Sequence, residues 1–322
     1  MRRPSFYTLP MREPSRRDFL KLGLGAGAFA FAGCGREPPR RDALAPPAST
    51  VTVPGIARDD APPSTPPLSP TPKPVPPQSR GERLLLPGTP SETILTMEFS
   101  GKAGPVLMVL GGVHGNEPGG WLAAEEVASW PPAAGGLIVL PRANRIAVAN
   151  FVRTTEELGD LNRLYPGSPE SPLPMGRLAA EIVAAAREFN VDVVLDLHES
   201  WAFYNGRSQN GTAFLGQTVT TGIGPRNPSL GRDIIARVNG NISVERDLLV
   251  ERDGSAFRSD PTLGAPGPGQ SQRGRSSLSL GGHVEGLTPI LVEMGQKDQP
   301  IARRTELHLQ VARAAMELLG IA

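Results

Sequence analysis

The sequence predicts an α/β fold, with a largely parallel sheet flanked by helices, and three observations carry that expectation. Short apolar runs alternate with amphipathic helical stretches from about residue 93 to the C-terminus. After Pro105–Leu110 a helical stretch separates each of these apolar runs from the next, the arrangement that a parallel crossover requires. Two of them lead into histidines, and open α/β sheets place ligand sites beyond the carboxyl ends of their strands.

The elements follow in order. Thr93–Phe99 reads as a strand, and Pro105–Leu110 as a buried one. Pro118 and Gly119 open a helix that runs to about Trp130. Gly136–Leu140 is a third strand, and Met175–Phe189 is an amphipathic helix rich in Ala and Glu. Val191–Leu197 is the next strand, Leu230–Val238 a helix, Pro289–Glu293 another strand, and Arg303–Leu319 a closing helix. No internal repeat is present. Asp253 to Glu285 breaks the pattern with Gly, Ser and Pro, which implies a functional lid or a disordered loop.

The chain before this domain has a different character. Ser15–Lys21 contains Arg16-Arg17 and resembles a twin-arginine export signal. A Gly/Ala-rich stretch from Leu22 to Gly33 follows and leads to Phe31-Ala32-Gly33-Cys34, which resembles a lipoprotein signal-peptidase box. Cys34 is the one cysteine of the chain and stands where a lipid acceptor would; the alternative is an incidental cysteine in a signal cleaved elsewhere. Residues 1–34 are thus expected to be an export signal, which implies a lipid-anchored location outside the cytoplasm, in the periplasm or at the cell surface. Residues 35–80 are a Pro-rich linker, too poor in apolar surface to offset its ordering entropy, and 81–322 form the globular domain.

Composition excludes several functions. Residues 1–80 hold 12 Lys/Arg against 6 Asp/Glu, which leaves 21 against 26 for the remainder. A mildly acidic domain argues against general nucleic-acid binding. No apolar run beyond residue 35 approaches the ~20 residues of a membrane span, so a membrane is met only through the lipid. With no cysteine after Cys34, disulfides, thiolate nucleophiles and Cys-zinc sites are excluded. No Gly-x-Ser-x-Gly elbow or phosphate-binding loop appears.

Chemistry concentrates at strand ends. His114 and Glu117 sit where an apolar strand runs into a glycine-rich turn, and Gly112, Gly115 and Pro118 rule out a helical pair. A catalytic zinc typically takes three His or carboxylate ligands plus a water. His198, at the end of a second buried strand, supplies the third. Asp196 alternates with His198 and faces the same way. It either supports a ligand histidine through the ring's other N–H, pairs with an arginine, or bonds a backbone turn. In Asp160–Gly167, Arg163 offers a planar fork for a carboxylate and Asn162 an added hydrogen bond. Arg145 and Arg153 lie just upstream, and Leu161, Leu164 and Tyr165 imply that the segment is anchored. Glu293 ends a short apolar strand, a position that suits a general base in a cleft. His283 is either a substrate contact or a solvated loop residue, and His308 in the last helix is structural.

Four motifs in order, Gly-Gly-Val-His-Gly-Asn-Glu, Asp-Leu-Asn-Arg-Leu-Tyr-Pro-Gly, Asp-Leu-His and Val-Glu-Met-Gly, span roughly Val106 to Gln296. Their arrangement resembles the succinylglutamate desuccinylase/aspartoacylase family of the zinc carboxypeptidase superfamily. The resemblance implies a mixed, commonly eight-stranded sheet between helices and one zinc held by His114, Glu117 and His198. It implies that Asn162 and Arg163 grip a substrate carboxylate, that Glu293 is the general base, and that Arg153 polarises the scissile carbonyl. Arg145 competes for that last role, because the Arg153–Asp160 spacing is longer than the family pattern. The implied function is a zinc-dependent hydrolase of C–N amide bonds beside a carboxylate, acting on small N-acyl amino acids. Two alternatives stand beside it: an extracytoplasmic metallocarboxypeptidase on peptides or cell-wall stem peptides, and a non-catalytic lipoprotein that captures carboxylated ligands.

Overall fold

The computed structural model describes residues 76–204, 214–252 and 276–322. The export-like segment, Cys34 and most of the Pro-rich stretch lie outside the described residues. One eight-stranded sheet runs in the order β1-β2-β4-β3-β5-β8-β6-β7. The strands are β1 Ser79–Leu85, β2 Thr93–Phe99, β3 Val106–Leu110, β4 Gly136–Leu140, β5 Val193–Ser200, β6 Thr218–Thr221, β7 Val250–Glu251 and β8 Thr288–Gly295. The central four, β4-β3-β5-β8, are parallel. β1 and β2 join antiparallel on one side, and β6 lies antiparallel to β8 on the other. The sheet is therefore mixed and largely parallel, as expected.

Strands β3, β4 and β8 are buried at every position, since helices cover both faces of the parallel centre. The helices are α1 Pro118–Val127, α2 Arg145–Asn150, α3 Pro174–Glu188, α4 Leu230–Asn239 and α5 Ile301–Leu319. One face carries Met108, Leu110 and Val194 against Met175, Leu178 and Ile182 of α3, with Leu161, Leu164 and Tyr165 in the same cluster. The other carries Leu107, Val109, Leu195 and Leu197 against α1, α4 and α5. Alternation along β5 therefore sends Val194, Asp196 and His198 to the α3 face, and Leu195, Leu197 and Glu199 to the other.

Close packing at the carboxyl edge depends on glycine. A Cβ on Gly120 would strike the Leu197 carbonyl, and one on Gly115 would strike the backbone of Ala147. The first lets α1 lie on β5; the second seats the His114 turn on α2.

Three features differ from expectation. Strand β1 begins at Ser79 and is almost wholly exposed, so its pairing comes from β2 rather than from an apolar signal of its own. The short strands β6 and β7 extend the sheet beyond β8. Residues 276–285 belong to the 253–285 stretch expected to be lid or disorder, yet Ser277–Gly282 forms a 3-10 helix with Leu278 and Leu280 buried. Those two leucines anchor it, which the Gly/Ser-rich composition conceals. Among the described residues, no helix is long and apolar enough to cross a membrane.

Candidate metal centre

Parallel strands β3 and β5 lie side by side, so the turn after β3 and the end of β5 meet at one edge of the sheet. There His114, Glu117 and His198 come together, each at most 5% exposed. His114 Nδ1 lies 2.7 Å from Glu117 Oε1, and His198 Nδ1 lies 2.9 Å from Oε2. The two Nδ1 atoms are 3.1 Å apart, and one ligand atom from each residue fits within 4.8 Å.

The outer ring nitrogens explain this orientation. His114 Nε2 lies 3.1 Å from Asp160 Oδ1, and His198 Nε2 lies 3.0 Å from Asp196 Oδ2. An ionised carboxylate only accepts, so each Nε2 donates and each Nδ1 turns inward. The centre thus gathers two ring nitrogens and two carboxylate oxygens; the Glu199 backbone N–H donates to Glu117 Oε2 at 3.0 Å, and Arg153 Nη1 comes within 3.5 Å of Oε1. Such a set calls for positive charge and could hold a metal ion. The protonation balance reports the same demand: burial opposes the imidazolium, yet Glu117 and the two aspartates outweigh it and raise both histidines. Burial likewise opposes ionised Glu117 and Asp160, but the histidines hold both well below the carboxylate range. The donor set, its burial and its carboxylate-backed histidines fit zinc.

Glu293 stands opposite His198 in the β5–β8 register and is 8% exposed. Burial pushes its carboxyl up to about 7, although His198 pulls the other way. A carboxyl poised near neutrality suits a general base. Arg153 reaches the same centre: Nη2 donates to Asp160 Oδ2 at 3.1 Å, and Nη1 lies 3.5 Å from Glu117 Oε1. Arg145 is placed elsewhere, donating to the Glu92 carbonyl and lining a 290 Å³ cavity with Glu92, Thr96 and Arg142. Asn162 is buried, and its Oδ1 accepts the Ser277 N–H. Arg163 is exposed and donates to the Asn162 carbonyl at 2.7 Å. His283 lies apart, its carbonyl accepting two N–H groups of Arg187. His308 is fully buried, and burial pushes it down to about 3, so it is neutral.

Several working residues were not assigned from sequence. Asp160 ties His114 to Arg153, a link visible only in three dimensions. Glu199, whose carboxyl burial raises to about 7, accepts from Gly119 N at 2.9 Å, from Gln296 Nε2 at 3.0 Å and from Arg304. Arg252 follows β7, donates to Thr220 Oγ1 at 3.0 Å, and sets its positive charge against Glu293 and Tyr204.

Residues 103–203 match the family model described as the succinylglutamate desuccinylase/aspartoacylase catalytic domain. The match supports that family. It spans β3 to the end of β5, and so includes all three residues of the cluster and the Asp160–Arg163 segment. No curated protein matches the sequence significantly. Among solved structures, the mDAP-bound form of Csd4 from Helicobacter pylori, a D,L-carboxypeptidase, is similar at TM-score 0.53 and 20% identity, over 68% of this chain and 52% of that one. The succinylglutamate desuccinylase/aspartoacylase of Rhodobacter sphaeroides is similar at TM-score 0.50 and 18% identity, over 76% and 66%. The chain thus spans about half the length of Csd4. At these identities the neighbours establish the shared fold alone, and it is the family match over residues 103–203 that supports a hydrolase.

Proposed function

We propose that this protein is a zinc-dependent hydrolase that cleaves a C–N amide bond beside a carboxylate, releasing an N-acyl group from a small amino acid. The observation that carries this reading is the juxtaposition of a buried His/Glu/His cluster with Glu293, in register beside His198. Zinc, when bound, lowers the pKa of a water to about 7 and polarises a carbonyl. Glu293 takes the proton of the attacking water and returns it to the leaving nitrogen. Arg153, held by Asp160, aims N–H groups at the oxygen that gains charge. Arg163 and the Asn162 side-chain amide hold the substrate carboxylate.

A carboxypeptidase reading is favoured by the export-like N-terminus and by likeness to Csd4, whose solved forms include a tripeptide complex and an mDAP complex. Pure carboxylate capture is disfavoured, since it needs no base beside the metal. Assaying zinc-loaded protein against N-acyl amino acids and muropeptides separates the three. Turnover of the first class alone supports deacylation, and turnover of neither supports capture.

Carboxylate recognition has its own test. Arg163→Lys is expected to lower kcat/KM at least tenfold for a carboxylated substrate, because a lysine cannot reproduce the bidentate fork. An analogue with its carboxylate capped as an amide should be nearly unaffected. Equal loss on both would assign Arg163 to structure or catalysis instead.

We also propose extracytoplasmic lipid anchoring through Cys34. Cys34→Ala should abolish lipid labelling and release the protein from membranes, as read by fractionation.

A further inference from the structure

Tyr165 is fully buried, yet its hydroxyl has no hydrogen-bond partner among the described residues. Asp196 is also fully buried; Oδ2 accepts from His198 Nε2, but Oδ1 has no partner among the described residues. A buried polar atom left unsatisfied is costly, so two in one region call for an explanation. They do share a region. Tyr165 packs in the apolar cluster with Met108, Leu110 and Val194, on the sheet face from which Asp196 and His198 project. The charge of Asp196 acts on the phenol, adding to the effect of burial in keeping it protonated. One group has a proton to give and the other has only lone pairs.

We propose that Tyr165 is a positioning residue for the metal centre: its hydroxyl serves Asp196 Oδ1 through one water, and so fixes the carboxylate that orients His198. This rests on the zinc reading above. The chain of support runs from the apolar core through Tyr165, Asp196 and His198 to the ion. Outer partners of ligand histidines matter because they set the tautomer and ring angle that the metal meets. A donor on Oδ1 keeps the carboxylate from rotating away from Nε2.

The test is zinc affinity, measured by chelator competition, alongside thermal melting of the metal-free proteins. Tyr165→Phe keeps the ring and its packing and removes only the hydroxyl. It is expected to weaken zinc binding about tenfold, the low end of the range for outer-shell partners. In an Asp196→Asn background, the same substitution should have little further effect, because the two residues act as one unit. If Tyr165 merely fills the core, Tyr165→Phe leaves zinc affinity unchanged and raises the melting temperature, as loss of an orphan hydroxyl should. That result overturns the inference while zinc binding by the wild type keeps the zinc reading intact. Independent, multiplying effects of the two substitutions also overturn it. A wild-type protein that binds no zinc overturns both.

Discussion

Glu293→Gln is expected to leave zinc and fold in place while lowering kcat by roughly 10²–10⁴-fold, the range that general acid–base catalysis supplies. Glutamine matches glutamate in shape but cannot take a proton. Burial already disfavours the charge at this position, so its removal should not destabilise the protein; equilibrium denaturation checks that point. The pH profile gives an independent readout. Glu293 must be ionised to act, so kcat/KM should rise with pH along an acid limb at or below about 7, since a dication beside the carboxyl favours its charged form. The limb should vanish in the variant. Wild-type turnover in Glu293→Gln would mean that another group activates the water.

His198→Ala, and separately His114→Ala, should reduce zinc from one per chain to near none and activity to background. Each removes one of three ligands and also leaves an aspartate without its imidazole partner, Asp196 or Asp160 respectively. Zinc and turnover should fall together, and elemental analysis of the purified variants is the direct check. Full occupancy in both would place the metal elsewhere.

The centre of the fold was legible because β3, β4, β5 and β8 are apolar runs bounded by turn residues. His114 and His198 could be paired from sequence since ligands gather at strand ends of α/β sheets. The outer strands were not legible. β1 carries arginines and a glutamate on an exposed edge, and β7 has two residues, so neither has a periodicity to detect. Arg153 and Arg145 are told apart in space rather than by spacing, since only Arg153 reaches the His/Glu/His cluster. α2 begins at Arg145 and ends in the left-handed residue Phe151, a turn that brings Arg153 to Asp160 and leaves Arg145 at the far end. Asp160 and His114 are 46 residues apart, and Glu199 and Arg304 are 105 apart. Such pairs depend on how the layers close, and nothing local announces them.

The cluster around Glu199 bears on how this protein can drift over generations. Removing Arg304 strands a buried charge, while removing Glu199 orphans the Gly119 N–H and leaves the guanidinium buried without its anion. A buried ion pair by itself is open to replacement by two apolar residues. Here that exchange would still forfeit an acceptor for the first turn of α1, next to Glu117 of the His/Glu/His cluster. Every single step out of the arrangement therefore passes through a weakened intermediate. Glu199, Arg304 and the Gly119 turn are expected to be inherited as a block in descendants that keep the metal, even where the substrate changes.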